Sequence, residues 1–225
     1  MTERSYDQYC GLAGALDLLG ERWTLLIVRE LMSGPKRYTD LADGLPGIGT
    51  SLLAGRLAKL ERSGVIERRV LPPPAASTVY ELAPAGHELG AALGPLITWG
   101  LRHAVPETPG DRRVSATWSA VPFTHSADPA MLAGIEATYE LRIGETSALL
   151  RVHEGRAEVL PEGSVAPDAV ISMDAATMAA LGAGRRTIGE ATADGAITID
   201  GDLRAAAALT AAFEGADAGA GQGAD

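Results

Sequence analysis

Residues 21–86 change their pattern in a fixed order, from an apolar helix to a short helix, a longer helix and a two-stranded ribbon. Apolar side chains recur every three or four positions in the helical stretches, and Gly34-Pro35 breaks the first of them. The predicted segments are a helix at about 22–33, a short helix that Thr39 caps and Asp40 begins, a helix at about 50–62, and β-prone runs at 65–71 and 78–82. The order predicts one compact unit in which a pair of helices precedes the ribbon.

This order is the one that a winged helix-turn-helix requires, in which one helix enters the major groove of DNA and the ribbon lies beside it. Basic and hydroxyl side chains near the longer helix and the ribbon are therefore candidate contacts to a double-stranded DNA operator. They are Lys36, Arg37, Thr39, Thr50, Ser51, Arg56, Lys59, Arg62, Arg68 and Arg69. The helical pattern predicts that Lys59 and Arg62 project outward. Arg56 has a second interpretation, in which it bridges Glu30 or Glu61 within the domain.

Charged residues are divided unevenly along the chain. Residues 1–104 carry 11 basic and 11 acidic side chains, whereas residues 105–225 carry 8 and 18. The formal charge of −10 therefore lies entirely in the second half, which DNA phosphates would repel. This division predicts two domains with different partners, of which only the first faces DNA.

Two amphipathic helices are predicted on either side of the DNA-binding segments. One covers about 10–19 and ends near Gly20, and the other covers 85–104 with leucines at every third or fourth position. Because the second of these follows a complete small domain, its apolar stripe is predicted to pair with a second copy of the chain. Packing on the first helix of the same chain is the alternative.

Many residues between positions 8 and 104 match one family pattern in the right order. They are Cys10, the run 16–20, Arg22-Trp23-Thr24, Arg29-Glu30-Leu31, Gly34-Pro35, Pro46-Gly47-Ile48, Arg56-Leu57, Leu60-Glu61, Gly64, Glu67-Arg68 and Tyr80-Glu81-Leu82. By these residues the segment resembles the HxlR family of bacterial transcriptional regulators. The resemblance implies a homodimer, formed through the first helix and residues 85–104, on a pseudo-palindromic operator. Relatives often carry a wing-tip arginine that this chain lacks, so Arg68 and Arg69 become the expected wing contacts.

Cys10 is the only cysteine, so no internal disulfide can form. In the family that the segment resembles, some members use a cysteine at this position to sense oxidants or electrophiles. Cys10 is therefore the redox candidate, with a small buried apolar residue as the alternative. No basic side chain follows it within one helical turn to lower its pKa.

Beyond a linker at 105–116 that is rich in Pro, Gly and charge, the pattern changes to the alternation of strands. Strands are predicted at 138–143, 147–152, 156–160, 169–173 and 196–199, and helices at about 174–183, 186–194 and 202–214. The Gly- and Ala-rich tail at 216–225 is predicted to be disordered.

A second resemblance covers about residues 127–214. It is carried by the run 168–174, Met178, Leu181, Gly184-Arg185, Ala191, Asp194-Gly195, Ile197-Thr198-Ile199 and Gly201-Asp202, which look like the sterol-carrier-protein type of domain. That resemblance implies a curved sheet of about five strands covered by helices, often around an apolar tunnel for lipids. The predicted fold class is thus α+β, with an N-terminal winged helix-turn-helix at 1–104 and a sterol-carrier-like α/β sandwich at 117–215. Expected tunnel walls, each of which also fits an ordinary core, are Tyr139, Leu141, Leu150, Val152, Ile171, Met173, Met178, Leu181, Ile197 and Leu209.

Patterns for catalysis or metal binding are missing from the sequence. The four histidines show no metal-ligand spacing with Cys10, and there is no nucleophile elbow or phosphate-binding glycine motif. We therefore expect no enzyme, no cofactor and no metal site. No apolar run reaches the roughly 18 residues that span a bilayer, and no secretory signal precedes the first helix, so a cytoplasmic protein is predicted.

These patterns together favour a dimeric transcriptional regulator, expected to be a repressor, whose operator affinity depends on a hydrophobic small molecule in the second domain. A second domain that only braces the dimer is the alternative role for that part of the chain. One rival hypothesis is a regulator switched through Cys10 by oxidants or electrophiles, with a structural second domain. Another is a lipid-binding carrier whose DNA module is vestigial.

Overall fold

The computed structural model describes residues 5–73, 76–126 and 129–220. The chain forms two compact units that divide after residue 90, within the helix Pro84–His103. This division lies inside the domain predicted for residues 1–104, because the last part of that helix packs in the second unit. The predicted domain limits, with a linker at 105–116, stay a prediction.

The first unit contains the helices and strands of the predicted winged helix-turn-helix. Its elements are α1 (Gly11–Leu19), α2 (Thr24–Met32), β1 (Lys36–Arg37), α3 (Tyr38–Gly44), α4 (Thr50–Arg62), β2 (Ile66–Val70), β3 (Thr78–Leu82) and the start of α5 (Pro84–His103). The strands form an antiparallel sheet in the order β1-β3-β2. Strand β1 was not predicted, because its two residues are too few to show alternation. The fold class predicted for this part is confirmed.

Leucines at helical spacing build the core of the first unit. Leu53, Leu57 and Leu60 of α4 are all buried, as are Ile27 and Leu31 of α2. Burying one such side chain contributes roughly 1.5–3 kcal/mol relative to leaving it exposed. The stripe that predicted α4 is therefore its inward face.

Helix α3 begins earlier than its sequence predicts. Its first residue is Tyr38, and the Asp40 carboxylate accepts a hydrogen bond from the Arg37 backbone N–H at 2.9 Å. The prediction that Thr39 caps this helix and that Asp40 begins it is wrong. An aspartate three positions after the cap residue satisfies the backbone N–H of that cap residue, which is one half of a capping box. Thr39 lies exposed in the first turn.

The second unit is a five-stranded sheet with helices. Its elements after α5 are α6 (Ala116–Ser126), α7 (Pro129–Leu132), β4 (Ala137–Ile143), β5 (Thr146–His153), β6 (Arg156–Leu160), β7 (Ala169–Met173), α8 (Ala175–Gly182), α9 (Ile188–Ala193), β8 (Ile197–Gly201) and α10 (Leu203–Ala220). The strand order is β6-β5-β4-β7-β8, in which β4 and β7 run parallel and the other neighbours antiparallel. The five predicted strands are confirmed.

Tyr139 lies at the centre of the second core. Its side chain is fully buried, and its hydroxyl donates a hydrogen bond to the Ala205 carbonyl oxygen of α10 at 2.9 Å. Burial, helped by the negative charges of Asp168 and Asp202, raises the pKa of Tyr139 to about 12. The hydroxyl therefore stays protonated at neutral pH, where it joins the sheet to α10.

At the edges of the second domain the structure contains helices where none was predicted. Helices α6 and α7 were not predicted, since α6 mixes apolar and polar residues on all sides and contains Pro122. The tail predicted to be disordered at 216–225 is helical as far as Ala220, where α10 ends. The rest of that prediction, residues 221–225, lies outside the described residues.

No helix in the described part of the chain is both long enough and apolar enough to cross a bilayer.

Candidate nucleic-acid interface and apolar groove

Helix α4 presents a face of small side chains to solvent. Thr50, Ser51, Ala54 and Gly55 are exposed, opposite the buried leucines. The helix starts after Gly49, and the Tyr38 hydroxyl donates a hydrogen bond to the Thr50 carbonyl oxygen at 2.8 Å. Small side chains let a helix approach the floor of a major groove closely, and the unpaired amides of its first turn suit a phosphate.

The predicted basic contacts fall into groups that differ in their partners. Arg62 and Arg68 are exposed and Lys36 is half-buried, and in the described part of the chain no hydrogen bond or ion pair engages any of the three side chains. Arg37 is exposed and donates a hydrogen bond from Nε to the Ser77 hydroxyl at 3.1 Å. Arg62, Arg68 and Lys36 are therefore available to bind phosphates.

Arg69 pairs within its own ribbon. Two hydrogen bonds of 2.5 and 2.8 Å join its guanidinium to the Glu81 carboxylate on the neighbouring strand β3. This carboxylate raises the pKa of Arg69. The pair carries no net charge, so Arg68 is the stronger candidate of the two wing arginines.

Arg56 and Lys59 turn back toward the protein. Their side chains are only 17% and 15% exposed. Arg56 forms an ion pair with Glu21, and Lys59 Nζ donates to the Asp17 carbonyl oxygen at 2.7 Å. The prediction that Lys59 projects outward is therefore wrong, and the partner of Arg56 is Glu21 rather than Glu30 or Glu61. Spacing along α4 could not show this, because the partners come from the end of α1 and from the segment that follows it.

Cys10 is exposed and stands at the N-cap of α1. The backbone N–H groups of Ala13 and Leu12 lower the pKa of its thiol. Sequence reasoning looked only for neighbouring basic side chains and so missed this effect. The predicted start of a helix at Cys10 was the signal that could have shown it, since helix N-termini stabilise thiolates.

The residues predicted to line a tunnel form the core of the second unit. Tyr139, Leu141, Leu150, Val152, Ile171, Ile197 and Leu209 are buried in one cluster, with Met173, Met178 and Leu181 packed against it. The structure brings all ten together, as the resemblance implied, but as mutually packed side chains.

An apolar groove of about 420 Å³ opens on another side of this unit, between α9, β8 and α10. Its lining is mostly aliphatic, with two threonine hydroxyls, and consists of Ile188, Gly189, Thr192, Ala193, Ile199, Leu203, Ala207 and Thr210. Leu203 is 66% exposed although it is a large aliphatic side chain. None of these residues was among the predicted tunnel walls. The one feature of the sequence that could have indicated the groove is Leu203, a large apolar residue at the first position of α10.

The end of α5 is fastened to the end of α8. Arg102 Nε donates to the Ala183 carbonyl oxygen at 3.0 Å, and Arg185 Nη1 donates to the Leu101 carbonyl oxygen at 3.1 Å. A Cβ on Gly182 would lie 2.7 Å from a methyl carbon of Leu101, so glycine permits the close approach. Each arginine thus satisfies an acceptor at the other helix's C-terminus, where unpaired carbonyl groups attract positive charge. We call this the α5–α8 contact.

Among the described residues, no three His, Cys, Asp or Glu side chains gather closely enough to hold a metal ion.

Comparison with known proteins identifies both halves of the chain. Residues 18–108 match the HxlR-like helix-turn-helix family and residues 120–214 match the SCP-2 sterol transfer family. The HTH-type transcriptional regulator YodB of Bacillus subtilis is 36% identical over 95 residues, which are 42% of this chain and 85% of YodB. The uncharacterized HTH-type transcriptional regulator Rv3095 of Mycobacterium tuberculosis is 42% identical over 86 residues, which are 38% of this chain and 54% of that protein.

Solved structures match the same part of the chain. The reduced form of YodB from B. subtilis is 35% identical and covers 44% of this chain and 98% of its own, with a TM-score of 0.39. The family match and the relatives agree with the fold of the first unit. The chain therefore belongs to the HxlR family of helix-turn-helix transcriptional regulators and carries an SCP-2 sterol transfer domain in its C-terminal half.

Proposed function

We propose that this regulator is a dimeric repressor whose affinity for its operator changes when a hydrophobic small molecule binds the SCP-2 domain. The exposed small-residue face of α4, with Arg62 on the same helix, is the observation that carries the DNA-binding part of this proposal. The apolar groove beside α9 and α10 supports the ligand, and the α5–α8 contact supports the coupling. A function that rests on these three features involves binding and a conformational change, without a chemical reaction.

Operator binding by this surface would depend mainly on phosphate contacts and close approach. Lys36, Arg62 and Arg68 are cations available for phosphates, and Ser51 and Thr50 lie in the first turn of α4. Few of these side chains reach base edges, so sequence-dependent DNA shape and the spacing of two half-sites would supply much of the specificity.

Exposed apolar residues favour a homodimer. Leu12 and Leu16 lie one turn apart on α1 and are 68% and 41% exposed. On α5, Leu96 and Trp99 are also exposed. Large aliphatic and aromatic side chains in such groups are typical of surfaces that a partner covers. A second copy of the chain is the partner that we propose, and sedimentation of the purified protein as two chains tests it.

A hydrophobic ligand suits the groove for reasons of volume and lining. Small-molecule sites usually enclose about 300–1,000 Å³, with mainly apolar walls and a few polar groups that fix orientation. The groove of about 420 Å³ has aliphatic walls, and the hydroxyls of Thr192 and Thr210 are its side-chain polar groups. None of the described residues that line it is charged, which favours a neutral or singly charged molecule over an anion with several charges.

Coupling between ligand and DNA requires a physical path. Residues 91–103 of α5 belong to the HxlR match and also to the same compact unit as the SCP-2 domain. The α5–α8 contact joins that helix to α8, and only residues 183–187 separate α8 from α9, which lines the groove. A ligand that shifts α9 would therefore displace the end of α5, provided that the two states differ in their affinity for it.

The experiment combines a fluorescent ligand with a groove-filling variant. A pyrene-labelled fatty acid is titrated into the protein, free and bound to a duplex that the wild type has selected from random-sequence DNA. Ala207→Trp fills the groove and is expected to weaken probe binding at least about 10-fold, because the indole occupies the apolar volume that the probe needs. Saturating probe should change operator affinity in the wild type and leave it unchanged in Ala207→Trp.

The matched control is Ala166→Trp, the same change at an exposed position in the loop before β7, outside the groove lining. It should bind the probe as the wild type does. Tight probe binding with unchanged operator affinity would contradict regulation by ligand and favour a second domain that braces the dimer.

A second candidate function is a switch through Cys10, which the exposure of the thiol and its lowered pKa favour. The thiolate forms above the thiol pKa, so a lowered pKa moves the reactive form to lower pH. We expect the rate of iodoacetamide alkylation to reach half its maximum at a lower pH in the folded protein than in the same chain unfolded in urea. Identical pH profiles would remove the physical basis for this switch, and loss of an oxidant response in Cys10→Ser would establish it.

A further inference from the structure

Two basic side chains of α4 bind partners within the protein. Lys59 Nζ lies 2.7 Å from the Asp17 carbonyl oxygen and 3.7 Å from a Glu21 carboxylate oxygen. Arg56 pairs with the same Glu21 carboxylate, and its Nε lies 3.5 Å from the Arg22 carbonyl oxygen. The turn formed by residues 17–22, which comprises the end of α1 and the segment leading to α2, therefore holds α4 at two positions one helical turn apart.

The same turn is fixed from its other side by the N-terminal segment. The Asp17 carboxylate accepts hydrogen bonds from the Tyr6 backbone N–H and the Ser5 hydroxyl, both at 2.9 Å. Gly20 closes the end of α1, and a Cβ there would lie 2.5 Å from the Leu16 carbonyl oxygen. Asp17 thus binds the N-terminal segment through its side chain and Lys59 of α4 through its carbonyl group.

Phosphate contacts by Arg56 and Lys59 would lose more free energy from their present contacts than they would gain from DNA. A phosphate contact requires Lys59 and Arg56 to leave partners to which their mostly buried side chains are already bonded. It would also leave Glu21 unpaired on the protein that approaches a negatively charged duplex. Breaking a hydrogen-bonded charge pair that is partly removed from water is more expensive than engaging an exposed cation such as Arg62.

We infer that Arg56 and Lys59 are positioning residues, which set the orientation of α4 against α1 and relay changes in α1 to the DNA-reading face. This inference rests on the proposed DNA-binding function and deepens it. The specificity of operator binding depends on these two side chains, although neither contacts DNA. The number of phosphates neutralised does not depend on them.

The salt dependence of binding separates positioning from phosphate contact. Affinity is measured over a range of NaCl concentrations for the duplex selected by the wild type and for a scrambled duplex of equal length. Lys59→Met keeps the length of the side chain and removes the charge. It should weaken binding of the selected duplex at least about 5-fold, with scrambled-duplex affinity and the slope of log K against log salt unchanged, because no counterion-releasing contact is lost.

Arg62→Gln is the matched control, one turn along the same helix at an exposed cation. It should weaken binding to both duplexes and reduce the salt slope by about 0.9. A comparable fall in slope for Lys59→Met would show that Lys59 contacts phosphate and would overturn the inference. Equal weakening on both duplexes together with a lower Tm would show a merely structural role and would overturn it too.

For Glu21→Gln, the two roles of Arg56 predict opposite changes in the affinity for the selected duplex. If Arg56 contacts DNA, removing the carboxylate frees the guanidinium and removes a negative charge, so affinity for the selected duplex rises. If Arg56 positions α4, its anchor is lost and that affinity falls. Recovery of the selected-duplex affinity in Lys59→Arg, which restores a cation able to reach Asp17, would further support positioning.

Hydrogen exchange tests the relay without DNA, so its result does not depend on the proposed function. In Lys59→Met, amides of α4 and of residues 17–22 should exchange faster than in the wild type, whereas Arg62→Gln should exchange as the wild type does. Unchanged exchange in Lys59→Met would overturn the inference. Failure of the wild type to select any duplex would instead overturn the proposed DNA-binding function.

Discussion

Ala54→Glu is expected to lower affinity for the selected duplex at least about 100-fold while leaving thermal unfolding unchanged. Ala54 is exposed on α4, on the side opposite its buried leucines. A carboxylate there would lie between the helix and the phosphates and base edges of the major groove, where like charges cost several kcal/mol. Because glutamate is a good helix former, the helix itself should tolerate the change. Fluorescence anisotropy at fixed salt measures the affinity.

Two controls isolate the charge and its position. Ala54→Gln adds nearly the same volume without charge and should lose less affinity than Ala54→Glu. Ala85→Glu adds the same charge at an exposed position in the first turn of α5 and should bind as the wild type does. All three variants should sediment like the wild type, so that a change of assembly does not mimic a change of contact. Wild-type affinity in Ala54→Glu would show that another surface binds DNA.

Gly86→Ala is expected to destabilise the first unit by about 3 kcal/mol, although the change adds one methyl group. A Cβ on Gly86 would overlap the carbonyl oxygen of Val65 and approach the Leu82 side chain to 3.1 Å. The Val65 oxygen cannot move away freely, because it already accepts a hydrogen bond from the Ala83 backbone N–H at 3.0 Å. The start of α5 must therefore shift from the end of the ribbon. Urea unfolding of the full chain, followed by hydrogen exchange of residues 65–90, measures the loss.

Gly100→Ala is the matched control in the same helix. Apart from the nearby backbone of α5 itself, no atom of the described residues lies within 4 Å of a Cβ built there, so the change should be neutral or should stabilise α5 by up to about 1 kcal/mol. Equal urea midpoints for the two variants would contradict the proposed close approach of α5 to Val65.

Most of the elements were predictable because their periodic patterns are long. The leucine stripe of α4 and the alternation in β4 and β5 each extend over enough residues to exclude other patterns. Strand β1 and helix α7 have two and four residues, too few for a period to show. Helix α6 lacks a separate apolar stripe, so its sequence did not predict a helix.

The candidate sites were less predictable than the elements. A basic residue on a helix looks the same in sequence whether it points at solvent, as Arg62 does, or at a turn from elsewhere in the chain, as Lys59 does. Apolar residues that alternate along a strand likewise satisfy a filled core and an open tunnel equally well. Tyr139 and Leu150 were correctly predicted to lie together. Only the tertiary structure shows that they pack against each other's neighbours in a filled core.

By itself, the sequence determined the two families, the order of the helices and strands, and the concentration of negative charge in the C-terminal half. These properties depend on residues close together in the chain or on sums over many residues. The tertiary structure decided which cations remain available for DNA, where the second unit opens a groove, and how α5 is fastened to α8. Each of these depends on contacts between residues far apart in sequence, such as Lys59 with Asp17 and Arg102 with Ala183, and no local pattern encodes such a pairing.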